Sequence, residues 1–525
     1  MKLSKIFSGA LLLSALFGTC TPDAVAQRLV ILHTNDTHSN IDSDDKGKGG
    51  ILPRMAIIDS VRAKEKNVLL VDAGDAVQGS LYFKIFRGDV EYPLFNMMDY
   101  DVRILGNHEF DNGLDDLARY WKGVKASRLS ANYDFSDTPA KGLFSPYIIK
   151  NIAGKKVGFL GINVDPADLI VEENYKGMTM SDIVPTANKT ASLLKKQGCD
   201  LVVAVTHIGY DEGDIDDRAL AAASKDIDII IGGHSHTFID PANPKSVPYW
   251  FKNSIGRDVL VAQTGKYGAN IGYIALDLKN FRNKKIDYKL IPVTDRFDAS
   301  KYSEEMRNFI APFKLKVDSI NSRVIGWSDA DLINKREACP YGNWAGDFSA
   351  RFGRHIADSL RSAGVEVPDI DFGLMNLGGI RQPMHAGTIS EGQILSTFPF
   401  DNKIRIIEIS GKDIIETMKI VSRKGGEAVS SEVRVVTDSV GNYLGMTVDG
   451  LPVDPDKNYV VATIDYIAKG KDGMVPMKNH REIWRDSREV SARIIDYISD
   501  LTANGLPVTA DPNPRFVVTV ADKLK

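Results

Sequence analysis

Seven short apolar runs in the first half constrain the fold of this 525-residue chain more than any other feature. They are 29–32, 68–71, 102–105, 157–162, 201–205, 227–231 and 259–262. Each is rich in Val, Ile or Leu and shows little polar alternation, the pattern of a strand buried on both faces. Helical periodicity falls between them. Ile51, Met55 and Ile58 share one helix face, and Ile57 and Val61 add a second pair beside it. A second helix is predicted over 184–197 and stops at Gly198, a natural left-handed cap. Strand–helix alternation of this kind predicts an α/β class with a layered sheet.

Five of the runs end in polar clusters. The first leads into His33-Thr34-Asn35-Asp36-Thr37-His38, the second into Asp72-Ala73-Gly74-Asp75, and the third into Gly106-Asn107-His108-Glu109-Phe110-Asp111. The fifth leads into Thr206-His207 and the sixth into Gly232-Gly233-His234-Ser235-His236. Ligands of open α/β sheets bind beyond the carboxyl ends of the strands, so five strand ends would bring Asn, Asp and His to one rim. A pair of divalent cations held about 3.5–4 Å apart needs such a set: a bridging carboxylate and flanking N/O ligands. Asp-x-His and His-x-His place both side chains on one face of an extended segment. Imidazole, carboxylate and amide donors suit zinc, manganese, cobalt or iron. Three Cys in the chain leave no thiolate zinc module.

Composition removes other classes. Apolar residues (43%) and charged residues (26%) are at globular values, and the net charge of −4 offers no basic excess for a nucleic-acid backbone. Residues 1–26 read as a secretory signal: Lys2 and Lys5, an apolar run over 6–17, and Ala24-Val25-Ala26 before Gln27. Lipidation at Cys20 is the rival reading. No later segment has the length of a transmembrane span, so the product is expected in the periplasm or cell envelope.

The runs Ile31-Leu32-His33-Thr34-Asn35-Asp36-Thr37-His38-Ser39-Asn40, Gly106-Asn107-His108-Glu109-Phe110-Asp111 and Gly232-Gly233-His234-Ser235-His236 resemble the three motifs of the 5′-nucleotidase family. The resemblance covers nearly all of 28–525. It implies a calcineurin-like metallophosphoesterase domain (27–300), built as a layered sheet sandwich, and a linker helix region (301–334). A second, mixed α/β substrate-binding domain would follow (335–525), with residues 1–26 removed as the signal. Carried over, Asp36, His38 and His236 would hold a first metal, Asn107, His207 and His234 a second, and Asp75 would bridge them. Zinc stands first, with manganese, cobalt, iron or magnesium as substitutes. His108 and Asp111 would form the catalytic dyad.

In the second half, the resemblance makes Phe400 and Tyr466 a clamp on the base and Asp472 an acceptor for a sugar hydroxyl. Asn376 and Arg381 would position the substrate, with Arg336 and Asn402 as further contacts. Lys469 and Lys471 stand where the family has small or neutral residues; their charge would suit polyphosphate or sugar-nucleotide substrates, or line the rim. The implied activity is hydrolysis of 5′-nucleotides to nucleoside and phosphate, extending to nucleoside di- and triphosphates or UDP-sugars. Two alternatives stand beside it: a 2′,3′-cyclic-nucleotide 2′-phosphodiesterase/3′-nucleotidase, which in the family carries Asn in place of Asp111, and a non-catalytic nucleotide-binding or surface protein.

Overall fold

The computed structural model describes residues 28–519, apart from 168, 214, 279–285, 296–301 and 335–339. Two six-stranded sheets make up the first half. One runs, edge to edge, Ile286–Pro292, Asn270–Asp277, Arg28–Thr34, Asn67–Asp72, Val102–Ile104 and Ser127–Leu129. The other runs Trp250–Lys252, Asp258–Ala262, Ile229–Ile231, Leu201–His207, Lys155–Asn163 and Tyr147–Ile152. The central strands of each are parallel.

The continuous apolar runs have a simple cause. Leu29 and Ile31 point into the layer between the sheets, against Val157, Phe159, Val203 and Val261. Val30 and Leu32 point the other way, onto Ile51, Ile58, Leu94 and Trp121 of the covering helices. Both faces are buried, so both side-chain sets are apolar. The parallel strands then put their carboxyl ends on one side, where the polar segments begin.

Helix Glu304–Asn321 follows. Ser303 caps it by accepting from the Met306 N–H, and Glu304 and Glu305 sit in its first turn, where the helix dipole favours acid. Its buried face, Met306, Ile310, Val317 and Ile320, joins the core of the first half. The second half is mixed α/β. A five-stranded sheet runs Ala428–Val429, Phe372–Met375, Asn458–Ile464, Lys403–Ser410 and His480–Glu489. Helix Pro340–Ser362 packs on it through Trp344, Ala345 and Phe348. A four-stranded sheet, Leu451–Pro452, Tyr443–Val448, Val433–Thr437 and Phe516–Val518, completes this part. Among the described residues no helix is long and apolar enough to cross a membrane. The segment read as a signal, Cys20, Arg336 and Cys339 lie outside the described residues; Cys199 is buried with a free thiol.

Candidate functional site

The strand ends converge on one rim because their loops turn sharply. Asp36, His38, Asp75, His234 and His236 all adopt left-handed backbone, with φ of 50°, 46°, 53°, 80° and 56°. Strained conformations of this kind persist where surrounding structure enforces them, and they gather at functional sites. Two glycines allow the loops to meet. A Cβ on Gly74 would lie 2.6 Å from the Gly106 nitrogen, and one on Gly106 would collide with the Asp75 carboxylate. Only glycine fits at either position.

Three groups of ligand atoms result, each compact enough to surround one ion: Asp36, His38 and His236; His38, Asp75 and His108; and Asp75, His207 and His234. His38 Nε2 faces His236 Nε2 at 2.9 Å, and His207 Nε2 lies 3.2 Å from Asp75 Oδ2. Asn107 Oδ1 sits 2.9 Å from His234 Nδ1. The Asp36 carboxylate accepts from the His234 N–H at 3.0 Å and from Asn35 Nδ2 at 2.6 Å, so the first and third motifs are tied together.

The electrostatics suit cation binding. Burial lowers His234 to about 3 and His236 to about 2, and holds His38 well below the ordinary imidazole range. These rings are neutral and keep a lone pair, the form a metal requires. Burial pushes Asp36 up to about 7. Burial acts the same way on Asp75, but the His207 imidazole, with His108 and His38, outweighs it and holds the carboxyl well below its usual range. Its partner His207 rises to about 10, burial being overcome by Asp75 and Asp36. His207 Nε2 and His38 Nδ1 are buried without a hydrogen-bond partner. The neutral His38, His234 and His236 rings and the ionised Asp75 carboxylate fit a pair of borderline divalent ions, and an ion bound there would displace the His207 proton.

His108 opens a short 3-10 turn, His108–Phe110. Its N–H donates to Asp75 Oδ1 at 2.9 Å, and its Nδ1 lies 3.0 Å from Asp111 Oδ2. Burial would lower its pKa, but the carboxylates of Asp111 and Asp75 outweigh burial and raise it. Protonation of this ring is therefore easier than in a free imidazole.

Two residues left aside at the sequence level hold this geometry. The Glu109 carboxylate accepts from three buried backbone N–H groups, those of Asp75 (3.0 Å), Ala76 (2.9 Å) and Gly106 (2.5 Å). Asn35 Oδ1 accepts from the Thr264 N–H at 2.9 Å and its hydroxyl at 2.8 Å. Neither role leaves a mark in spacing, because most of the partners are groups distant in sequence that only folding brings near. Asp72 accepts from Thr34 Oγ1 and faces Arg103, away from the ligands. His33 is fully buried, stacks on Tyr288 at 6.1 Å and is lowered to about 3 by burial; it belongs to the core.

The second half meets this rim across a cleft of about 530 Å³. Asp75, Asn107, His108, Asp111, His234 and His236 line one end. Asn376, Arg381, Phe400, Asn402, Tyr466 and Asp472 line the other. The Phe400 ring lies 5.9 Å from the His108 ring at 30°, and the Arg381 guanidinium sits 5.9 Å from the Phe400 centroid. Asp472 accepts from Asn376 Nδ2 at 2.9 Å and from the Tyr466 hydroxyl at 3.2 Å. Arg381 Nε and Nη2 and Asn376 Oδ1 are buried without a partner, a donor and acceptor set suited to an anion and a hydroxyl.

Contacts across the cleft join the halves. Lys84 Nζ reaches Asp401 Oδ1 at 2.6 Å and Glu489 Oε2 at 2.7 Å. Lys469 pairs with Glu173 at 3.0 Å, and Lys471 Nζ donates to the Ala167 carbonyl at 2.6 Å. The charges read from sequence as candidate phosphate binders are thus directed at the opposite half.

Comparison with known proteins agrees with this geometry. The family model described as calcineurin-like phosphoesterase matches residues 29–238, and that of the 5′-nucleotidase C-terminal domain matches 324–480. The 5′-nucleotidase of Rattus norvegicus is 26% identical over 531 residues, 91% of this chain and 89% of that protein. The trifunctional nucleotide phosphoesterase of Bacillus subtilis is 26% identical over 495 residues, 85% of this chain but only 32% of that longer protein. The crystal structure of the 5′-nucleotidase precursor from Thermus thermophilus superposes with a TM-score of 0.80 and 27% identity, covering 94% of this chain and 99% of that one.

Proposed function

Since the chain belongs to the 5′-nucleotidase family, and so to the metal-dependent hydrolases of phosphoric esters, we propose that it is an exported enzyme releasing phosphate from 5′-nucleotides. One observation carries the reading: a ligand cluster for two cations and an aromatic platform for a flat base share one cleft, with Phe400 stacked 5.9 Å from His108. A phosphate and a base joined by a sugar match that arrangement.

Asp36, His38 and His236 would hold one ion and Asn107, His207 and His234 the other, with Asp75 between them. Bound there, the ions supply Lewis acidity that activates water and offsets phosphoryl charge. The protein's own groups do the rest. His108, whose protonated form Asp111 and Asp75 favour, would donate toward the oxygen on which negative charge grows. Asp111 fixes the ring orientation through Nδ1. Arg381 offers its unpaired Nε and Nη2 to the phosphate. Phe400 and Tyr466 hold the base, and Asp472 with Asn376 takes the sugar. The His108–Asp111 pair supports the 5′-nucleotidase reading over the cyclic-nucleotide branch.

The test is phosphate release by metal-loaded protein from AMP, ATP, UDP-glucose, 3′-AMP and 2′,3′-cyclic AMP, with and without EDTA. Chelator-sensitive turnover led by AMP, ATP or UDP-glucose supports the proposal. Turnover led by 3′-AMP or the cyclic nucleotide reassigns the branch. Binding without turnover reassigns the chain to the nucleotide-binding proteins.

A further inference from the structure

Gln78 is 1% exposed, yet neither its amide nitrogen nor its amide oxygen has a hydrogen-bond partner among the described residues. A buried, unpaired carboxamide is costly, about 1–3 kcal/mol for each orphaned group. Its backbone is left-handed, with φ of 70°, which a glutamine adopts only under constraint. The side chain lines the catalytic cleft.

Residues on either side of Gln78 in the chain line the same cleft. Asp75, three residues earlier, belongs to the ligand cluster. Phe83 and Lys84, a few residues later, line the same cleft, and Lys84 is paired with Asp401, next to Phe400. Gln78 thus shares one cleft with the ligand cluster and with Phe400, and a 5′-nucleotide spanning those two would carry its sugar between them.

The chemistry selects the same partner. A phosphate dianion offers acceptors alone and would leave the Gln78 oxygen unsatisfied. An aromatic base face offers neither. A hydroxyl both donates and accepts, and so satisfies a carboxamide.

We propose that Gln78 is a substrate contact that reads a sugar hydroxyl of the bound nucleotide, making the enzyme selective for ribose over deoxyribose at that carbon. The proposal rests on the nucleotidase reading above. Gln78→Met keeps the length and removes both hydrogen-bonding ends; Gln78→Glu keeps the shape and loses the donor. Each is compared with wild type on AMP, 2′-deoxy-AMP, 3′-deoxy-AMP and p-nitrophenyl phosphate. For both variants the ratio of kcat/KM on AMP to that on p-nitrophenyl phosphate is expected to fall about 10-fold or more, mainly through KM. On the deoxy-nucleotide lacking the contacted hydroxyl, wild type and variants are expected to differ by less than about 3-fold, the signature of a coupled pair. Equal losses on AMP and p-nitrophenyl phosphate would place Gln78 at the reacting phosphate and overturn the proposal. So would an unchanged ratio, with water satisfying the amide, or equal losses on AMP and both deoxy-nucleotides. Wild-type turnover of p-nitrophenyl phosphate without any of AMP would overturn the nucleotidase reading itself, and this one with it.

Discussion

Glu109 holds Asp75 by its backbone: the carboxylate accepts the Asp75 N–H at 3.0 Å, and the neighbouring Ala76 N–H at 2.9 Å. The residue beside His108 thus shapes the loop that presents the shared metal ligand. Glu109→Ala strands three buried N–H groups, each costing about 1–3 kcal/mol. The expected outcome is a loss of roughly 10–100-fold in metal affinity or activity, the range for groups that support ligands. Metal content after dialysis, with kcat and KM on AMP, checks this. Wild-type metal content would show that Glu109 serves the fold and not the ligand loop.

Chelation should act on stability as well as on turnover. The imidazoles and the carboxylates of Asp36 and Asp75 crowd one buried volume, and an ion that binds only the folded state stabilises it by mass action. Thermal unfolding in EDTA should come several degrees lower than in the presence of zinc, and restoring the metal should restore both Tm and activity. An unchanged Tm would mean that the cluster holds no ion of useful affinity.

Phe400→Ala and Tyr466→Ala test the base clamp. Stacking on one aromatic contributes about 1–3 kcal/mol, so each variant should raise KM for AMP by roughly 5–150-fold. The losses on p-nitrophenyl phosphate, which has no base, should be much smaller. Equal losses on both substrates would remove the clamp assignment.

Lys84 bridges Asp401 and Glu489 across the cleft, and its side chain is 11% exposed. Lys84→Met leaves two carboxylates facing each other without a cation. The expected result is a wider average separation of the halves, seen as a larger radius of gyration by small-angle scattering. kcat/KM on AMP should fall by roughly 10-fold, about 1.4 kcal/mol. Unchanged scattering and kinetics would make this bridge incidental to closure.

Glu91 carries a pH signature. It is 1% exposed, and burial, only partly offset by the Ser39 hydroxyl, raises it from 4.5 to about 7. Between those values the folded state keeps a proton that the unfolded state has released, so stability falls as pH rises from 4.5 to about 7 and is flat above. Glu91→Gln removes the ionisation. The variant should exceed wild type in the unfolding free energy from urea titration at pH 8, by an amount on the order of 3 kcal/mol, and approach it at pH 5. A gap independent of pH would place the titration elsewhere.

The first half was legible because its central strands are buried on both faces. Runs such as 29–32 carry no alternation to confuse the reading, and their parallel direction puts every following polar segment on one side. Asp36, Asp75, Asn107, His207 and His234 could be singled out for that reason. What escaped depends on contacts that only the folded chain makes. Glu109 and Asn35 act on loop groups, most of them distant in sequence. Lys469 and Lys471 looked like free positive charge, but docking of the two halves turns them onto Glu173 and the Ala167 carbonyl. Gln78 sits among small residues and gives no periodic signal at all.

Gly74 and Gly106 bring two loops together so closely that neither has room for a methyl group. One loop carries Asp75, the other Asn107. The loops are geared: a shift in one is transmitted to the other without slack, as expected of close-packed interiors. The two metal positions would then gain and lose their shape together. A substitution at either glycine would disable the whole centre while leaving every ligand in the sequence untouched.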